Sequence, residues 1–197
     1  MQTGGMASSS SPVTEWMSAL AESTGSPGGG AASALMLGIA AGLTSMVASY
    51  SDDAAMVERA RALQREALRL ADADAAASAE FGAAFREGSH EAIRDASLGA
   101  ARSSAELGSL ALDALADLEH LAGHGKPSLV ADVAVAFAAL RAALAGARTN
   151  LGYDLAEATD HDEGRTHSSE LVRRLADAIG RVDRSVAAID DRAVPEP

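Results

Sequence analysis

The chain of 197 residues contains no cysteine, which excludes disulfides, thiolate zinc sites and a cysteine nucleophile. This fits a reducing compartment, and a cytoplasmic protein is expected. Aromatic residues make up only 3% of the sequence, and β-branched residues are scarce beside alanine and leucine. Such a composition enters helices at little cost and offers few residues suited to a pleated sheet. Proline occurs at five positions, all near the chain ends or in loops, so long helices can run uninterrupted. Positive charge is also short: 16 Lys and Arg against 28 Asp and Glu leave a net charge of −12. With no basic stripe, a nucleic-acid partner is not expected, and an anionic ligand would need locally arranged donors. The opening "MQTGGMASSS" has neither the basic nor the apolar region of a signal peptide. The expected organisation is a flexible tail over 1–10, one domain over 11–190 and a C-terminal tail over 191–197.

What is present is most unusual between Ser23 and Ser51, where no Asp, Glu, Lys, Arg or His occurs. Within this stretch Pro27 and three glycines, Gly28, Gly29 and Gly30, feed the apolar run "AASALMLGIAAGLTSMV". A glycine turn before an apolar helix suits a membrane anchor, a phosphate cradle or a substrate loop on a buried helix. The run is long enough to span a bilayer. Gly38, Gly42, Thr44 and Ser45 interrupt it, however, and no Lys or Arg flanks it as a topology signal. No Gly-Lys-Ser/Thr completes a phosphate loop. The remaining chain supplies amphipathic helices that need an apolar partner, so the run reads as the centre of a soluble bundle.

Helical periodicity covers the rest. Ser11-Pro12 reads as an N-cap with proline at the first helical position, opening a short helix with Val13, Trp16, Met17 and Leu20. After the central helix, Met56, Leu63, Ala67, Leu70, Ala77 and Phe81 mark a helix from about Asp53 to Arg86. Ser89 caps another that stops at Gly123 and Gly125. Ser128 restarts the pattern through Leu151, a polar loop is expected around "TDHDEGRTH", and a last helix carries Leu171 to Ile189. The expected fold is all-α, a bundle of about five to six helices around the central apolar helix.

Several polar residues fall where a core is expected. Asp74 shares a helix face with Leu70, Ala77 and Phe81, whereas Asp72 is turned away to solvent. A carboxylate on a buried face is costly unless hydrogen-bonded, and such positions acquire raised pKa values and acid–base roles. A helix rolled far enough to wet Asp74 fits the periodicity equally well. Asp132, Asn150 and Asp154 lie along one edge of the fifth helix, where an ordinary amphipathic boundary is the alternative. Asn150 and Asp154, at i and i+4, can act together. Asp132 lies 18 residues before Asn150, about 27 Å along an unbroken helix, too far to share its site. His120 and His124 have metal-gripping spacing, but no carboxylate completes a motif and both sit at a helix C-terminus, where imidazoles are favoured. No metal is expected. His161, Asp162, Glu163 and His167 read as solvated loop residues.

Four segments together resemble the cyclodeaminase/methenyltetrahydrofolate cyclohydrolase family, which includes the C-terminal domain of formiminotransferase-cyclodeaminase. "SPGGGAASAL" followed by "MV" is similar to its glycine opening, and "LADADAAA" to its Asp-x-x-Ala segment, with Asp74 at the aspartate. "GKPSLVADVAVA" aligns Asp132 with a family aspartate, and "ARTNLGYDL" aligns Asn150 with an asparagine. The resemblance runs from Pro12 to Ile189. It implies an all-helical dimer that needs no cofactor and acts on one-carbon tetrahydrofolates. Such enzymes hydrolyse a methenyl bridge to the 10-formyl form or close a 5-formimino group with loss of ammonia. It further implies Asp74 as the proton-transfer group and Pro27, Gly28, Gly29, Gly30, Asp132, Asn150 and Asp154 as substrate contacts, the glycine N–H groups acting at a helix N-terminus.

The chain departs from the family pattern at several points. Ala31 stands for a serine, Lys126 for an asparagine, Ala131 for a serine and Asp154 for a second asparagine. Glu106 falls near a usual proline, and "SYSDDAA" replaces a lysine-rich segment. These departures keep a second reading open, a small-molecule-binding or regulatory bundle of the same fold without turnover. A purely structural interaction bundle is a third. The uncharged helix also has more apolar surface than narrow alanine-rich stripes can cover, so a homodimer is expected, with the glycine turn and Asp74 near the interface and Gly38 and Gly42 packed closely.

Overall fold

In the computed structural model, which describes residues 8–157 and 162–193, every regular element is helical. α1 spans Val13–Leu20, α2 Gly29–Tyr50, α3 Ala54–Glu87, α4 His90–His124, α5 Val130–Glu157 and α6 Asp162–Ala193. A 3-10 turn at Pro127–Leu129 joins α4 to α5. Local chemistry accounts for most of the boundaries. The Asp53 carboxylate accepts from the Met56 N–H at 2.9 Å and caps α3, and the Ser89 hydroxyl caps α4 from the Ala92 N–H. Gly88 ends α3 at φ 75°, the left-handed conformation that glycine adopts without strain.

Three boundaries differ from the sequence expectation. Pro12, rather than Ser11, occupies the N-cap of α1, and no side chain caps that helix. α4 runs through Gly123 and stops at Gly125, because one glycine inside a long packed helix lowers its stability without breaking it. The loop expected around "TDHDEGRTH" is helical from Asp162 onward. The apolar stripe beginning at Leu171 packs into the core and anchors this helix further along its length. Residues 158–161, with His161, lie outside the described residues, as do 1–7 and 194–197 of the expected tails. Asp191 to Ala193 continue α6.

Short connections make successive helices antiparallel neighbours. α2 packs on α3 and α5, α4 packs on α3 and α5, and α6 lies against α4 and α5. The core is built from Leu37 and Val47 of α2, Leu70 of α3, Leu115 and Leu118 of α4, Phe137, Leu140 and Leu144 of α5, and Leu175 and Val182 of α6, all fully buried. Small residues set how closely the backbones approach. A Cβ added at Gly146 of α5 would lie 1.9 Å from the Ser33 hydroxyl oxygen of α2. Gly38 and Gly42 are less tightly met, by Ala67 at 3.8 Å and by the movable end of Gln64 at 2.9 Å.

α2 and the segment Pro127–Ala156 are long and apolar enough to cross a membrane by length and composition. α2 buries one face, including Ala34, Ala41 and Ala48, in the core, while Met36, Ile39, Met46 and Tyr50 stay exposed on the other. α1 is peripheral, with Trp16 its one buried residue. The Trp16 indole N–H donates to the Ser8 hydroxyl at 3.0 Å. Asp72, expected in solvent, accepts from the Ser8 N–H and from the Ser9 hydroxyl, and so ties the start of the chain to α3.

Candidate active site

The turn before α2 leaves the first N–H groups of that helix without intrahelical partners. One of them is satisfied by Asp74: the Ala31 N–H donates to its Oδ2 at 2.8 Å. The glycine run makes this approach possible. A Cβ at Gly30 would lie 2.0 Å from Asp74 Oδ1 and 2.5 Å from its Cγ, so the carboxylate fills the volume that any side chain at position 30 would need. Gly28 is also close-packed, its added Cβ meeting the Gly25 carbonyl oxygen at 3.2 Å. The Ser26 hydroxyl donates to the Ala75 carbonyl at 2.7 Å and pins the turn to α3. Pro27 is buried behind the turn.

Burial pushes the Asp74 carboxyl above its ordinary pKa, against the opposing effect of hydrogen bonds from the Ala31 N–H and the Ser78 hydroxyl. Across from it, Asp154 of α5 accepts from the Ser104 hydroxyl of α4 at 3.3 Å. Burial raises the Asp154 pKa to about 6; the Ser104 hydrogen bond works against the rise and the negative charge of Asp74 adds to it. Between them lies a cleft of about 320 Å³, lined by Gly28, Gly29 and Gly30, Asp74, Phe81, Ser104, Asn150 and Asp154 among others. Asn150 reaches the glycine turn, its Oδ1 lying 4.0 Å from where a Gly29 Cβ would stand.

The cleft therefore brings together six of the eight residues singled out in the sequence: the three glycines, Asp74, Asn150 and Asp154. Pro27 supports the turn without lining the cleft. Asp132 does not join them, since it sits in the first turn of α5 and the helix runs unbroken to Asn150. Two residues that the sequence reading missed are Ser78 and Ser104. Ser78 follows Asp74 by one helical turn and was accessible from spacing alone. Ser104 is buried on the apolar side of α4, a small polar residue on a core stripe, but its partner on α5 is visible only in three dimensions.

A slightly larger cavity of about 420 Å³ lies between α2, α3 and α4. Its one cationic lining residue, Arg59, is paired with Asp117 at 2.8 Å, and it contains none of the eight residues singled out in the sequence, six of which gather instead in the glycine-turn cleft. His120 and His124 stack ring on ring with centroids 4.5 Å apart. No group of three or more metal-ligating side chains occurs among the described residues.

Residues 12–172 match the family model described as formiminotransferase-cyclodeaminase. No curated protein matches the chain. Among solved structures, formiminotetrahydrofolate cyclodeaminase from Thermotoga maritima superposes with a TM-score of 0.82 at 23% identity, covering 92% of this chain and 96% of that one. At that identity the likeness is one of fold.

Proposed function

The chain belongs to the formiminotransferase-cyclodeaminase family, and from that premise we propose that the glycine-turn cleft converts one-carbon tetrahydrofolates, as a cyclohydrolase or a cyclodeaminase. The observation that carries the reading is Asp74. It is a half-buried carboxyl of raised pKa, docked on a helix N-terminus at the wall of a cleft. In hydrolysis, water adds to the methenyl carbon between N5 and N10 and Asp74 takes one of its protons; that proton goes to N5 as the N5–C bond breaks, and the remaining hydroxyl proton leaves to solvent as the formyl C=O forms. In cyclodeamination, N10 adds to the formimino carbon, Asp74 takes the N10 proton, and the proton goes to the departing nitrogen, which leaves as ammonia. Both routes pass a tetrahedral carbon and need a group that accepts and then returns one proton. The Gly29 and Gly30 N–H groups, with Asn150, would hold a carbonyl or carboxylate of the folate.

The enzyme would act in the cytoplasm as a homodimer, without a resident cofactor. Purified protein incubated with methenyltetrahydrofolate should speed the loss of its absorbance above the buffer rate. With formiminotetrahydrofolate it should release ammonia. No acceleration of either at micromolar protein would remove the reading.

A binding or regulatory role is the alternative, and the methyl group of Ala31 and the absence of Lys, Arg or His from the described cleft lining favour it. Calorimetric titration with tetrahydrofolates separates the two, because binding without turnover supports the alternative.

A further inference from the structure

The cleft holds two carboxylates and, among its described lining residues, no cation. Elsewhere on the bundle, carboxylates meet guanidiniums: Asp117 with Arg59, Asp183 with Arg141, Glu119 with Arg181. Asp74 and Asp154 instead take their hydrogen bonds from neutral donors, the Ala31 N–H and Ser78 hydroxyl for one and the Ser104 hydroxyl for the other. An ionised carboxylate has about four acceptor sites, so each retains lone pairs for a ligand in the space between them. Phe81 contributes an aromatic side chain to the same wall. Two half-buried like charges facing one another are unfavourable, and a delocalised cation with N–H donors placed between them relieves the repulsion.

Resting on the reading of this cleft as a one-carbon site, we infer that Asp154 is a specificity-determining residue. With Asp74 it makes the cleft select a flat amidinium or iminium cation over the neutral carbonyl compound of the same shape. One-carbon units divide along that line: a formimino group and a methenyl bridge carry positive charge, whereas a formyl group is neutral. Asp154 would thus favour the cationic species on which the chemistry starts and weaken the hold on a neutral formyl product.

The probes are benzamidine, a flat cation, and benzamide, its neutral counterpart, titrated into the full chain by calorimetry. A charge-assisted hydrogen bond exceeds a neutral one by enough to predict at least about tenfold tighter binding of benzamidine. Asp154→Asn keeps the size of the side chain and should erase the preference, while Asp154→Glu restores the charge and should retain it. Circular dichroism of both variants establishes that the bundle is intact.

Equal binding of the two probes, or no binding of either at millimolar concentration, overturns the inference. So does a preference that survives undiminished in Asp154→Asn, which would belong to Asp74 alone or to the acidic surface at large. The outcome is separable from that of the folate assay. A preference for benzamidine without folate turnover leaves this inference standing and removes the enzyme reading, and turnover without the preference does the reverse.

Discussion

Gly30 and Asp74 compete for the same volume, and the absence of a side chain at position 30 is what lets the carboxylate reach the helix N-terminus. Gly30→Ala would place a Cβ 2.0 Å from Asp74 Oδ1, so the carboxylate must move off the Ala31 N–H. Activity on methenyltetrahydrofolate should fall about as far as on loss of the acid–base group itself, roughly 10²- to 10⁴-fold, with the helical circular dichroism retained. An active Gly30→Ala protein would contradict this arrangement. Asp154 gives a prediction in pH. Its carboxyl ionises near pH 6 when folded and near 3.9 (roughly) when unfolded, so the native state holds the proton more tightly. The stabilisation from the neutral form is fully present below about pH 4 and lost as the pH rises through about 6. Asp154→Asn stays neutral throughout, and its Tm relative to wild type should rise between pH 4 and pH 7; a difference independent of pH would contradict the assignment. Asp74, Asn150 and Asp154 were legible in the sequence because helical spacing places them on or beside apolar stripes. Ser104 was not, because its role depends on how α4 faces α5, which no spacing within α4 encodes.

At the scale of the element, α2 and α5 owe their closeness to one glycine. A methyl group at Gly146 would lie 1.9 Å from Ser33 Oγ and 2.8 Å from Ser33 Cβ, and rotating the hydroxyl cannot relieve the second contact. Gly146→Ala should therefore destabilise by about 1–3 kcal/mol, the usual cost of overpacking. Gly99 of α4 has nothing within 4 Å of its added Cβ, and Gly99→Ala should stabilise by about 0.5–1 kcal/mol through helix propensity. Thermal melts of the two variants should move in opposite directions, and a Gly146→Ala melt at or above wild type would show that the interface has slack. The six helices were readable because apolar residues recur every three or four positions, and the cap at Ser89 because its side chain acts locally. The start of α6 was not readable, since its first turns carry no apolar stripe and are held by packing further along.

Across the whole molecule, the unexplained surface is the far side of α2. Met36, Ile39, Met46 and Tyr50 recur there at spacings of three, seven and four, an exposed apolar stripe with no charge, and Val135 of the neighbouring α5 is exposed as well. A second copy meeting this face would bury it symmetrically. Light scattering at tens of micromolar should give twice the 19.9 kDa chain mass, and Ile39→Glu should shift the protein to monomer with its helices intact. A wild-type monomer would refute the dimer. In a dimer, Asp132 in the first turn of α5 and Asn150 would belong to sites built from different subunits. Whether Asp74 in the glycine-turn cleft performs one-carbon folate chemistry is decided by the decay of methenyltetrahydrofolate absorbance with wild type and Asp74→Asn side by side. Wild type should accelerate the decay, and the variant should leave it at the buffer rate. Acceleration that persists undiminished in Asp74→Asn would contradict the role of Asp74.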